Sequence, residues 1–112
     1  MELRFISNEM AKLCNSEAEL RRELGPPCAA RLQQRLQELR AATTLDDLRG
    51  LPNARCRELT QDRQGRWAVD LVRPRQLVFG PAHGPVPTKA DGGPDWTKVT
   101  EVVILEVVDC YG

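Results

Sequence analysis

The sequence has one histidine, His83, and four cysteines at positions 14, 28, 56 and 110, none of them in a Cys-x-x-Cys pair. A structural metal site needs about four such ligands at characteristic spacings, so this supply argues against a resident metal. A single imidazole also argues against Ser-His-Asp chemistry. There is no glycine-rich phosphate loop and no dinucleotide fingerprint. No apolar run approaches the about 18–20 residues of a membrane helix, and no apolar signal stretch follows Met1-Glu2-Leu3-Arg4. A cytoplasmic protein with reduced thiols, no cofactor and no membrane contact is expected. Net charge is absent too, with 16 Lys and Arg against 16 Asp and Glu, so no global field draws the chain onto a polyanion.

What is present is unevenly spread. The 112 residues make one domain, 1–112, long enough to bury roughly 65% of the unfolded surface without covalent staples. Residues 1–50 carry eight basic and eight acidic groups, residues 53–78 carry six and three, and residues 79–112 carry two and five. The middle is therefore locally basic and the tail acidic, and any anion site should be a patch on the middle segment. Thirteen of the 16 basic residues are arginine, the side chain suited to bidentate phosphate contacts.

The patterning predicts an α+β fold. Residues 2–6 alternate as a short strand. Residues 8–24 keep a helical stripe through Met10, Leu13, Cys14, Leu20 and Leu24; Ser7 or Asn8 can cap it, and Asn15-Ser16 ahead of Glu19 can restart it after a kink. Gly25 stops it and Pro26-Pro27 opens a second helix over 27–41, with Ala29, Leu32, Leu36 and Leu39 on one face and Arg31, Gln34, Arg35, Glu38 and Arg40 elsewhere. Cys14 and Cys28 fall on the apolar faces of this helix hairpin. Thr44 caps a single turn ending at Gly50. A three-strand meander follows over 55–59, 65–71 and 75–79, with Gly65 supplying a positive φ in its first turn. Residues 81–95, rich in proline and glycine, form a long loop that contains His83. The run 97–108 is apolar on both faces and reads as a central strand covered by helices on one side. The sheet is expected to be curved and mostly antiparallel.

Six arginines lie on the meander: Arg55, Arg57, Arg63, Arg66, Arg73 and Arg75. The last strand delivers Asp109, Cys110 and Tyr111 to the chain end. Arginines beside an acid and a phenol suit RNA: cations stabilise the added charge when a 2′-OH attacks the adjacent phosphorus, and an acid protonates the leaving 5′-oxygen.

Four stretches in order carry a resemblance. They are Leu45-Asp46-Asp47-Leu48-Arg49-Gly50-Leu51-Pro52, the run 57–69 from Arg57 through Gly65-Arg66-Trp67 to Val69, Leu77-Val78-Phe79, and Val103-Ile104-Leu105-Glu106-Val107-Val108-Asp109. The loop with Asp91-Gly92-Gly93-Pro94-Asp95-Trp96 adds a fifth. Together the set resembles the HigB branch of the RelE/ParE toxin superfamily over nearly the whole chain. The resemblance implies the toxin of a type II toxin–antitoxin pair: a metal-independent endoribonuclease that cuts mRNA on the ribosome. A helix-turn-helix antitoxin would silence it, and operator DNA would be met only through that antitoxin. Taken with the meander arginines and the acid and phenol at the chain end, it gives Arg57, Arg75, Asp109 and Tyr111 as candidate catalytic residues and Arg55, Arg63, Arg66 and Arg73 as candidate RNA contacts. The chain departs from the family pattern at Arg57, where His is common, at Gln76, where Arg is usual, and at Cys110-Tyr111, where Tyr-His is usual. Two alternatives follow from those departures: a RelE-fold protein, weak or inactive as a nuclease, that acts by binding an antitoxin, and a ParE-like gyrase inhibitor.

Overall fold

The computed structural model describes residues 1–59, 65–82 and 87–109. In chain order these form β1 (Glu2–Phe5), α1 (Asn8–Cys14), α2 (Glu17–Leu24), α3 (Pro26–Ala41) and a 3₁₀ turn at Leu45–Gly50. Then come β2 (Arg57–Glu58), β3 (Trp67–Asp70), β4 (Arg75–Pro81), a further 3₁₀ turn at Trp96–Lys98, and β5 (Glu101–Asp109).

Two serines divide the N-terminal helical stretch. The Ser7 hydroxyl accepts from the Met10 N–H at 3.0 Å and the Ser16 hydroxyl from the Glu19 N–H at 3.2 Å. Each occupies one of the donors a helix start leaves unmatched, so the expected kink is a full restart between α1 and α2. Gly25 takes φ +84° between α2 and α3, a conformation that costs an L-residue about 1–2 kcal/mol. Pro26 and Pro27 then open α3 where no intrahelical N–H bond is lost. Thr44 stands at the start of the Leu45–Gly50 turn, and the Asp47 carboxylate reaches back to the N–H groups of Thr43 (2.9 Å) and Thr44 (3.3 Å).

The predicted apolar face of α3 is buried: Ala29, Leu32, Leu36 and Leu39 all pack into the core, as do Cys14 and Cys28. One assignment on this helix is corrected. Arg35, expected among the polar positions, is 1% exposed. Its guanidinium stays charged inside because each nitrogen has a partner: Nε donates to the Asp70 carbonyl at 2.7 Å, one Nη to the Asn53 carbonyl at 2.9 Å, and the other to the Glu38 carboxylate at 2.8 Å.

The sheet order is β1-β5-β4-β3-β2. β5 is an interior strand, second in that order, parallel to β1 and antiparallel to β4, in keeping with its apolar character on both faces. Trp67, Val69, Leu71, Leu77, Phe79, Val102 and Ile104 join the helices in one core. The alternate positions of β3 and β4 (Ala68, Asp70, Gln76 and Val78) face the other way. A bulge between Val78 and Phe79 shifts the register against β5. Trp67 meets Trp96 edge-on, with ring centroids 5.6 Å apart, and the Arg49 guanidinium lies 4.0 Å over Trp96.

Two strand boundaries differ from expectation. The first meander strand shrinks to Arg57–Glu58 because Asn53 (φ +72°) and Arg55 (φ +48°) turn the chain out of an extended path. The last strand starts at Glu101, because the Asp95 carboxylate accepts from the Thr97 N–H (3.0 Å) and nucleates the Trp96–Lys98 turn instead. The loop expected over 81–95 keeps Pro81 in β4 and pairs Thr88 with Pro94. His83 lies outside the described residues. No described helix is long and apolar enough to cross a membrane.

Arg35→Ala should therefore cost about 3–5 kcal/mol of stability, the range for removing one partner of a buried charged network. Arg35→Lys should cost less, since it keeps the charge but loses the planar fork. Urea unfolding with both variants measures this; a loss under about 1 kcal/mol for Arg35→Ala would show the network to be dispensable.

Candidate nucleic-acid interface

The antiparallel register of β2, β3 and β4 puts Arg57 opposite Ala68 and Asp70 opposite Gln76. Residues opposite one another share a face, so Arg57, Ala68, Asp70 and Gln76 line the face away from the helices. There they form a charged cluster. The Asp70 carboxylate lies 2.6 Å from Nε of Arg55 and accepts from Nη1 of Arg57 at 3.0 Å. Arg57 also donates to its neighbour's carbonyl, Arg55 O, at 2.9 Å, and through Nη2 to Oε1 of Gln76. Two guanidiniums against one carboxylate leave a surplus positive charge within the cluster, with Glu106, opposite Val78, elsewhere on the same face. That surplus is accessible, for the side chains of Arg55 and Arg57 are 59% and 30% exposed.

Arg75 belongs to the opposite face. It is adjacent to Gln76 on β4, so its side chain turns toward the helices. Nη1 donates to the carbonyl of Leu24, the last residue of α2, at 3.0 Å, and Nε lies 3.8 Å from Asp109, its register partner on β5. A cation at those C-terminal carbonyls also complements the helix dipole. Two adjoining depressions of about 670 and 340 Å³ share Leu24, Arg75 and Asp109. Met10, Leu13 and Val107 line the first, and Pro27, Val72 and Arg73 the second.

The site residues expected from sequence thus fall into two groups at one end of the sheet. Arg55 and Arg57 are together on the face away from the helices. Arg73, Arg75 and Asp109 are together on the helix side. Arg66 stands one residue before β3. Arg63 and Tyr111 lie outside the described residues, as does Cys110. Sequence reasoning missed Asp70 as the carboxylate that joins two arginines, and it noted Gln76 only as a departure. The available signal was alternation: Asp70 and Gln76 are polar residues at strand ends, in phase with each other and out of phase with the apolar core positions. Arg35 gave no such signal.

Cys56 sits between the two charged regions of the loop and β2. Burial pushes its thiol up to about 12, against the opposing pull of Arg57 and Arg49. Burial likewise raises Cys14 to about 11, with Arg40 opposing. Neither is a thiolate nucleophile near neutral pH. At Asp95 the Thr97 hydroxyl bond holds the carboxyl below its ordinary value.

A YoeB/ParE toxin from Agrobacterium tumefaciens superposes with 99% of this chain and 100% of its own, at a TM-score of 0.54 and 10% sequence identity. The likeness is one of fold, which in this chain is an N-terminal strand, helices and an open five-stranded mixed sheet. No protein-family model matches the chain, and no curated protein matches it in sequence.

The thiol environments give a direct check. Raising Cys56 from 9.0 to about 12 lowers its thiolate fraction about a thousandfold near pH 8. Peptide-resolved alkylation should therefore find Cys14 and Cys56 at least about 100-fold slower in native protein than in urea. Equal rates in the two conditions would contradict the burial described.

Proposed function

We propose that this chain is the toxin of a type II toxin–antitoxin module and acts as a ribosome-dependent, metal-independent mRNA endonuclease of the HigB kind. The observation that carries this reading is the Arg55–Asp70–Arg57–Gln76 cluster, an accessible cationic patch on the face away from the helices, on a sheet with the fold of a YoeB/ParE toxin.

In the reaction, the RNA 2′-oxygen bonds to the adjacent phosphorus, the bond from phosphorus to the 5′-oxygen breaks, the 2′-proton leaves to a base or to solvent, and the 5′-oxygen gains a proton. Charge accumulates on the non-bridging oxygens, where fixed guanidiniums lower the barrier most. Arg57 and Arg55 supply that charge, and guanidiniums keep it at every working pH. Tyr111 is the candidate proton donor, with Arg63, Arg66 and Arg73 extending the RNA path. Arg75 and Asp109, joined at 3.8 Å, position the end of β5 two residues before Tyr111. Holding the RNA in line for attack is itself a large share of such catalysis. The partners in this reading are the ribosome with its mRNA and a helix-turn-helix antitoxin, through which operator DNA is met.

A second reading has its own observation. Arg75 is committed to Asp109 and to Leu24 on the helix side, so Arg57 and Arg75 do not converge on one phosphate. That favours a RelE-fold protein that binds an antitoxin and cuts weakly or not at all.

Cleavage of mRNA on programmed ribosomes by the purified chain separates the two. Arg57→Ala should lower the rate by about 10²–10³-fold, the usual cost of one lost charge-stabilising donor. Arg75→Ala should lower it by about tenfold, through misplacement of the strand end. Equal rates for the wild type and both variants would remove the site assignment. Absence of both cleavage and growth arrest on induction without the antitoxin gene would leave the second reading in place.

A further inference from the structure

Asp70 holds two guanidiniums at once, one with each carboxylate oxygen: Oδ2 lies 2.6 Å from Nε of Arg55, and Oδ1 accepts from Nη1 of Arg57 at 3.0 Å. One oxygen per guanidinium is also how a pair of arginines grips a phosphate. The backbone of Asp70 is fixed, since its N–H donates to the Ala54 carbonyl at 2.8 Å and its carbonyl accepts from buried Arg35 at 2.7 Å. Its carboxylate is reachable from solvent, the side chain being 23% exposed on the same face as both arginines. We propose that the Asp70 carboxylate is an internal occupant of a phosphodiester seat formed by Arg55 and Arg57, and that a nucleic-acid backbone binds there by displacing it.

The proposal rests on the reading that this face meets RNA, and adds how that face is kept selective. A tethered carboxylate competes at a high effective concentration, so a single free phosphate exchanges with it poorly. A polyanion anchored at neighbouring arginines presents its phosphate under the same advantage and can take the seat. In the unbound chain Asp70 neutralises one of the two cations, which limits adventitious anion binding, and it holds both guanidiniums in the geometry the phosphate will need.

The test is fluorescence anisotropy of a labelled single-stranded 2′-O-methyl RNA, which cannot be cleaved, over a salt series. It compares the wild-type chain with Asp70→Asn and Arg57→Ala. Asparagine preserves shape and the backbone bonds and removes the competing charge. Asp70→Asn should bind about five- to tenfold more tightly, and its log Kd against log salt slope should steepen by about 0.7, the share of one further phosphate contact on a single strand. Arg57→Ala should bind more weakly with a shallower slope. If Arg57→Ala weakens binding while Asp70→Asn fails to strengthen it, Asp70 is scaffold and the proposal falls, with the RNA-facing reading intact. If Arg57→Ala leaves binding unchanged, the RNA-facing reading itself falls. Should Asp70→Asn lose its cooperative urea transition, Asp70→Ser replaces it. The wild-type chain gives an independent readout in the Arg55 Nε–Hε NMR signal, which should shift on RNA addition and not with an equal concentration of inorganic phosphate. An unchanged signal at saturating RNA overturns the proposal.

Discussion

The buried guanidinium of Arg35 ties the helices to the end of the sheet where the charged residues collect. It donates to the Asn53 carbonyl on one side and to the Asp70 carbonyl on the other, and so fixes the separation of two segments far apart in sequence. Both are unusual. Asn53 and Arg55 have positive φ values, a conformation that costs about 1–2 kcal/mol for a residue with a β-carbon, somewhat less for asparagine. A charged hydrogen bond to the intervening turn offsets that cost. The return is position: with the chain reversed there, Arg55 and Arg57 both point at the Asp70 carboxylate, whose own backbone the same guanidinium holds. A neutral core residue at 35 would pack against α3 neighbours equally well but would leave this corner without its tie.

The alternation of a pleated strand then divides the remaining charge. Arg75 and Gln76 are consecutive, so they cannot serve the same surface. Gln76 joins Arg57, whereas Arg75 closes the C-terminal end of α2 and meets Asp109. A formally neutral chain thereby carries a cationic patch on one face and a near-balanced ion pair in an apolar-walled groove on the other. Local surplus governs contacts within a Debye length of about 8–10 Å, and net charge does not. This is why an overall charge of zero gives no argument against a polyanion partner.

The same two periodicities explain what could be read in advance. The helix restart at Ser16, the Gly25-Pro26-Pro27 break, the apolar face of α3 and the interior place of β5 follow from local rules: a hydroxyl at a helix start, a positive φ, a 3.6-residue stripe, a strand apolar on both sides. The capping hydroxyls are where those rules put them. The charged corner follows from no local rule. Arg35 is one residue from Leu36 at the margin of the apolar stripe, and its burial is tolerable because the carbonyls of residues 53 and 70 join the Glu38 carboxylate as acceptors. Asp70 alternates with the core residues Val69 and Leu71, a pattern that marks it only as a residue of the outer face. Its role depends on Arg55, whose backbone conformation no propensity would assign. Tertiary contacts across 18 and 35 positions of sequence set these side chains, and no window of neighbours encodes such pairs.

That division bears on how little a site of this kind requires. A chain with a single histidine has little imidazole chemistry to offer. Phosphoryl chemistry with an internal nucleophile can proceed on alignment and charge stabilisation, since the 2′-OH is already adjacent to phosphorus. What such a site must have is cations whose positions are set before the substrate arrives, because reorganising them during the reaction would consume the stabilisation they provide. In the proposed reading the Asp70 carboxylate and the Gln76 amide hold Arg55 and Arg57 in place until the RNA arrives, and Arg35 fixes the backbone of Asp70. The rigidity comes from the buried network and the exposed guanidiniums inherit it, so the part of the molecule that most resembles ordinary core structure is the part on which any chemistry at its surface depends.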